Sequence, residues 1–138
     1  MIDTDGACAP NPGRGGWGAI IVQDRSERIL KGREAASTNN RMELTAALQA
    51  LKVVPSGKPV TLYTDSQYLK KGVEEWLPNW IARGWRRKGG VLANVELWQQ
   101  LANEITNHSI TWKWVRGHNG NIYNERVDRI ARNSIRGR

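Results

Sequence analysis

Strand-like segments come first in this chain and then alternate with helical ones, an order that narrows the possible folds sharply. Three strand-like runs fall within the first 35 positions, at 1–5, 17–23 (WGAIIVQ) and 28–35 (RILKGREA). The first is followed by a Gly/Pro-rich loop over 6–16, and the other two are joined by the polar turn DRSE, so a meander is expected. Leu44, Ala47, Leu48 and Leu51 then recur at i, i+3, i+4 and i+7 behind a capping stretch, ASTNN. Pro55 and Gly57 end that helix before a strand at 60–64 (VTLYT). Helical patterns follow at 66–76, 78–83 and 95–106, then a strand at 110–115 (ITWKWV). A glycine-flanked loop leads into a last helix with Val127, Ile130 and Ala131 on one face. The order β, β, β, α, β, α, α, α, β, α implies an α/β fold: a five-stranded mixed sheet, a three-strand antiparallel meander plus parallel strands, flanked by helices. No repeat or linker divides the 138 residues, so one domain, 1–138, is expected.

Charge narrows the partner. Twenty-one Lys and Arg against 13 Asp and Glu give a net charge of +8, which suits a polyanion such as nucleic acid, or serves only solubility. One cysteine, Cys8, excludes an internal disulfide and a cysteine-based zinc site, and two histidines leave little room for a histidine-rich metal centre. The opening MIDTDGAC has neither a basic leader nor an apolar signal core, and runs such as 19–22 are far too short to span a bilayer. A soluble, cytoplasmic monomer with no membrane or protein partner is the expectation.

The segment VTLYTDSQ (60–67) drives an apolar strand straight into Asp65, and a carboxylate there loses water unless something compensates it. Three more acids stand at comparable boundaries: Asp5 ending the first strand, Glu43 in the first turn of the first helix, and Asp128 early in the last helix. Each has an ordinary explanation. Asp before Gly suits a turn, Asn40 to Glu43 suits a capping box, and an acid suits the start of a helix. Singly, those explanations are the better ones.

Jointly, the motifs resemble the type 1 ribonuclease H family (bacterial-type ribonuclease HI) over nearly the whole chain. TDGAC at 4–8, NPG at 11–13, TNNRMEL at 38–44, YTDSQY at 63–68, the GW and basic run near 85, and RGHNG with NERVD within 116–128 match it in order. The resemblance implies the ribonuclease H-like fold and a metal-dependent endoribonuclease that cuts the RNA strand of RNA/DNA hybrids, leaving 5′-phosphate and 3′-hydroxyl ends. It implies that Asp5, Glu43, Asp65 and Asp128 hold two Mg²⁺ ions, with Mn²⁺ as a substitute. Asp5 would bridge both, Asp128 would serve the ion on the attacking water, and Glu43 and Asp65 the ion on the leaving group. The chemistry is consistent: Mg²⁺ prefers oxygen ligands, and clustered carboxylates need a cation to stay ionised together. His118, between glycines at 117 and 120, matches the family histidine that assists proton transfer or product departure.

RNA differs from DNA by its 2′-hydroxyl. The resemblance implies that Asn11, Asn39 and Gln67, with the backbone near Cys8, read it. Thr38, with Arg41 nearby, would bind a phosphate of the DNA strand. Asn39 also suits a helix cap and Asn11 a turn. Trp76, Trp80 and Trp85 interleave with Arg83, Arg86, Arg87 and Lys88, a pattern that fits backbone tracking and sugar packing. Trp76 is placed with Arg86, Arg87 and Lys88 in substrate binding, and Trp80, Trp98, Trp112 and Trp114 in the core. Two departures from the family pattern stand out. Only four residues precede Asp5, which predicts a short first strand with lost pairing at its start, and Asn121 to Tyr123 replace a stretch that often holds proline and an acid. An inactive hybrid-binding module and a DNA-acting nuclease on the same fold are the alternatives.

Overall fold

The computed structural model describes residues 1–85, 94–115 and 122–137. Its elements are β1 (Ile2–Cys8), β2 (Gly13–Gln23), β3 (Ser26–Ser37), α1 (Asn39–Val53), β4 (Pro59–Thr64), α2 (Gln67–Lys71), a π-helical turn (Gly72–Trp76), α3 (Leu77–Ala82), α4 (Val95–Asn107), β5 (Ser109–Trp114) and α5 (Ile122–Ile135). The order follows the sequence pattern, and the sheet runs β3-β2-β1-β4-β5. β1, β2 and β3 pair antiparallel, while β4 pairs parallel with both β1 and β5. This is the mixed sheet that the order of elements implies.

The first strand is longer than expected. β1 runs past Asp5 to Cys8 because Gly15 to Ile21 of β2 stay in register with it throughout. Its start keeps its pairing too: Ile2 faces Ile21 on one side and Leu62 on the other, and the Met1 carbonyl accepts from the Val22 amide at 2.8 Å. The Gly/Pro loop therefore shrinks to four residues, 9–12. At the β2–β3 hairpin, Asp24 and Arg25 take φ of 49° and 67°, the left-handed pair that a two-residue turn requires between twisted strands.

Neighbouring residues of a strand point to opposite faces. A Cβ on Gly15 would strike Met42 of α1, and one on Gly16 would strike Ala131 of α5. The two helices thus cover opposite faces of the meander. On the α1 side, Ile2, Ala19, Ile21, Leu44, Leu48, Leu51, Leu62, Leu69, Trp98 and Leu101 form the core. Tyr68, Trp76, Trp80 and Trp98 extend it as an aromatic cluster with centroid separations of 5.4–6.4 Å. The Tyr68 hydroxyl accepts from the Trp98 indole at 2.9 Å, which satisfies a donor that burial would otherwise strand. Trp112 and Trp114 stack at 5.3 Å and pack against the same core.

Inside this frame Asp3 is anomalous. It is buried in β1 and its Oδ1 has no hydrogen-bond partner. Burial pushes its carboxyl up to about 6, against a slight lowering by the chain's N-terminal charge. A carboxyl that binds its proton more tightly folded than unfolded favours folding below pH 4, and that advantage is lost as pH rises through 6. Asp3→Asn is therefore expected to melt about 5 °C above wild type at pH 7.5 in EDTA, with the gap closing at pH 4. A variant that melts lower at pH 7.5 would show the carboxylate holding the fold together.

Candidate active site

β1 and β4 pair only at Ile2–Leu62 and Asp3–Tyr63. Beyond that point the two parallel neighbours part, and their carboxyl ends open the crevice where ligands settle in open α/β sheets. Asp5 lies two residues past the last pair on one side, and Asp65 follows Thr64 on the other. Asp65 is fixed by its neighbours. The Ser66 amide donates to the Thr64 hydroxyl at 3.2 Å, and the Ser66 hydroxyl caps α2 by accepting from the Leu69 amide at 3.1 Å.

The third acid arrives from α1. Thr38 is the N-cap, its hydroxyl accepting from the Arg41 amide at 3.1 Å, which puts Glu43 in the second turn. Glu43 is thus too far along the helix for a capping box. Gly6 lets it come close: a Cβ there would fall 2.3 Å from the Glu43 nitrogen, so no larger residue fits without moving the helix. Asp5, Glu43 and Asp65 consequently offer carboxylate oxygens that all lie within 4.8 Å of one another. Asp128 stands outside that group, as the seventh residue of α5, yet its charge bears on Asp5. Here too a glycine sets the distance, since a Cβ on Gly16 would lie 2.3 Å from the Ala131 carbonyl and hold α5 off the sheet.

The electrostatics follow from this crowding. Burial pushes the Asp5 carboxyl up to about 7; hydrogen bonds from Glu43 and from the Gly6 amide (2.9 Å) pull it down, and Asp65 and Asp128 raise it. Burial also drives Glu43 well above the usual carboxylate range, with Asp5 adding to it. Both carboxyls therefore hold their protons more tightly than free ones do. Glu43 Oε2 is buried with no hydrogen-bond partner, so a ligand position on this acid is open. Hard oxygen donors, mutual repulsion and an unpartnered buried oxygen together fit a divalent cation. Asp128 has a different counter-ion, the Arg132 guanidinium one turn along α5. That partner is legible as an i, i+4 pair, although sequence reasoning passed over it.

The residues expected to read substrate fall into two groups. Asn11, Thr38, Asn39 and Gln67 are exposed along the rim of the crevice. Asn11 Oδ1 accepts from the Asn39 amide at 3.1 Å, tying the loop to the start of α1 and leaving the Asn39 side chain for other contacts. Cys8, half-buried, donates to the Ser37 carbonyl at 3.3 Å and the Pro10 carbonyl at 3.2 Å. The other group is committed to the protein. Arg41 binds Glu34 at 2.9 Å, Glu96 at 2.7 Å and Asn94 Oδ1 at 3.2 Å, so two carboxylates already neutralise it. Its guanidinium pKa is raised by the Glu96 hydrogen bond first and Glu34 second. Trp76 lies in the aromatic cluster, half-buried against Tyr68 and Trp98. His118, Arg86, Arg87 and Lys88 lie outside the described residues. Nothing in the sequence pattern had singled out His108, which caps the end of α4 in a buried position with Nε2 3.0 Å from the Leu51 carbonyl.

Comparison with known proteins agrees with this geometry. The ribonuclease H ("RNase H") family model matches residues 1–136. A ribonuclease H of Hahella chejuensis is 53% identical over 131 residues, covering 94% of this chain and 88% of that protein. The crystal structure of LC9-RNase H1, a type 1 RNase H with the type 2 active-site motif, is similar at 31% identity and a TM-score of 0.85, over 99% of this chain and 71% of that one. LC11-RNase H1, solved in complex with RNA/DNA hybrid, shares the fold at 19% identity and a TM-score of 0.70, over 98% of this chain and 95% of that one. With the match spanning both the sheet and the acidic crevice, the chain belongs to the ribonuclease H family.

Proposed function

We propose that this chain is an endoribonuclease that hydrolyses the RNA strand of RNA/DNA hybrids, leaving 5′-phosphate and 3′-hydroxyl ends. The observation that carries this reading is the crowding of Asp5, Glu43 and Asp65 at the crevice, their carboxylate oxygens within 4.8 Å of one another, beside exposed amides. Asp5, Glu43, Asp65 and Asp128 would hold two Mg²⁺ ions, and such ions supply an activated water and neutralise charge on the reacting phosphate. Asp5 and Glu43, whose carboxyls are raised by burial, would have to be ionised to hold a cation, and Asp128 would offer it the carboxylate that now faces Arg132. Asn11, Asn39 and Gln67 offer donors and acceptors to 2′-hydroxyls across a minor groove, the feature that separates RNA from DNA. Thr38 offers its hydroxyl to a backbone phosphate, His118 assists proton transfer or product departure, and Arg86, Arg87 and Lys88 attract the duplex. The +8 charge suits such a partner. We place the protein in the cytoplasm as a monomer; among the described residues no helix is long and apolar enough to cross a membrane.

Labelled RNA/DNA hybrid, double-stranded RNA, double-stranded DNA and single strands, each incubated with Mg²⁺ or EDTA, test the reading. Cleavage confined to the RNA of the hybrid and abolished by EDTA is expected. Cutting of duplex DNA, or full activity in EDTA, would refute it. Asp5→Asn or Asp65→Asn should slow cleavage by roughly three or more orders of magnitude, because each loses a metal ligand, while His118→Ala should retain clear residual activity.

The same crowding predicts a trade between activity and stability. Asp5→Asn relieves repulsion and removes a buried charge, so in EDTA at pH 8 it should melt above wild type. The Asp5 pKa is raised on folding, so the destabilisation is present above about pH 7 and disappears towards pH 4. Adding Mg²⁺ should narrow the gap at pH 8 by stabilising wild type more than the variant. Thermal melts at pH 8 and pH 4, with and without Mg²⁺, check all three parts; a variant that melts lower in EDTA at pH 8 would contradict them.

A further inference from the structure

The C-terminal half of α5 carries an arginine strip that the acidic crevice does not require. Arg129 and Arg132 are exposed at i and i+3 of the helix, and Arg136, in the turn just past its end, is exposed beside them in the same groove. Together with Asn133, Ile135 and Ala9 they line a groove of about 310 Å³. Ala9 belongs to the 9–12 loop, which Asn11 ties to the start of α1. At the end of α5 a second groove of about 270 Å³, lined by Lys31, Arg33, Ser134 and Gly137, adds two more cations. The Arg33 guanidinium lies where a side chain at Gly137 would have to go.

Only Arg132 is compensated, by Asp128. Arg129 and Arg136 form no ion pair among the described residues, although Arg126 on the same helix pairs with Glu27 through two hydrogen bonds of 2.8 and 2.9 Å. Like charges at this spacing repel, and an anion lying along the strip would relieve that repulsion. A solvated charged face is the ordinary alternative. Against it stand the concavity of the groove and its continuity with both Ala9 and Asp128.

We propose that the groove between α5 and the 9–12 loop holds the sugar-phosphate backbone of the nucleic acid beyond the cleaved bond, with Arg129 and Arg136 contacting successive phosphates. Arg132 marks where this track meets the crevice, since it faces Asp128 on one side and the groove on the other. These contacts lie away from the reacting phosphate. They contribute binding that is uniform along the reaction, and so act on KM and on salt dependence rather than on kcat. The proposal rests on the hybrid being the substrate.

The test compares wild type, Arg129→Gln/Arg136→Gln and a charge-matched control, Arg28→Gln/Lys58→Gln, whose positions line grooves at the other end of the sheet. Hybrid binding is followed by fluorescence anisotropy in EDTA between 0.05 and 0.3 M salt (about that range, where phosphate contacts dominate), and cleavage by steady-state kinetics in Mg²⁺. For the α5 double variant a rise in Kd of about tenfold is expected, with a fall of about 1–2 in the slope of log K against log salt, a matching rise in KM, and kcat within twofold of wild type. Affinity and slope unchanged from wild type would overturn the proposal. So would an equal loss in the control, which would mean that net charge alone is felt. Failure of wild type to cleave hybrid would instead overturn the functional reading on which the proposal rests.

Discussion

Repulsion between carboxylates is the constraint that shapes this molecule. Asp5, Glu43 and Asp65 come from the middle of β1, a helix and the position just after β4, yet their oxygens gather within 4.8 Å, with burial raising Asp5 and Glu43 further. Such an arrangement survives only if the surrounding packing is stiff enough to impose it. The stiffness has identifiable sources. The apolar core under α1, the β1–β2 ladder and the hydrogen bonds of Ser66 each hold one acid where its charge opposes another.

Close approach by glycine is the second requirement, and it serves the same end. Gly6 admits α1, and so Glu43, against β1; Gly16 admits α5, and so Asp128, against β2. Neither position is a turn. Both are strand residues whose missing Cβ lets a helix sit closer than any other side chain would permit. The acid cluster, the parting of β1 from β4 and the helices on either face are therefore one construction. Arg132 beside Asp128 and the Gly6 amide bonded to Asp5 offset part of the repulsion.

Much of this was legible in the residues. The alternation of helical and strand patterns gave the sheet, because side-chain periodicity reports which face is buried and the ends of VTLYT and the α1 pattern are marked by turn residues. The four acids were legible only jointly, through motifs in register, since each alone suits a turn or a helix end. What stayed hidden depended on partners remote in sequence. The length of β1 is set by pairing with Gly15 and Gly16, not by its own composition. The commitment of Arg41 to Glu96 spans 55 positions, and no local signal announces it. Trp76 alternates with basic residues as a nucleic-acid surface would, but its ring serves the cluster around Trp98. His108 and Asp3 are polar residues buried by tertiary packing, which a local pattern does not register.

The central claim is that a cation takes the place of a proton and relieves repulsion in the Asp5–Glu43 pair. Metal ligands must be deprotonated, so binding to this pair at neutral pH has to expel protons. Isothermal titration of wild type with Mg²⁺ at pH 6.5, repeated in two buffers of different ionisation enthalpy, measures that number directly. A release approaching one proton per protein, falling towards zero at pH 9 and in Glu43→Gln, is the predicted result. Binding of Mg²⁺ with no proton release at pH 6.5 would mean that the acids are already ionised together, and would contradict the account.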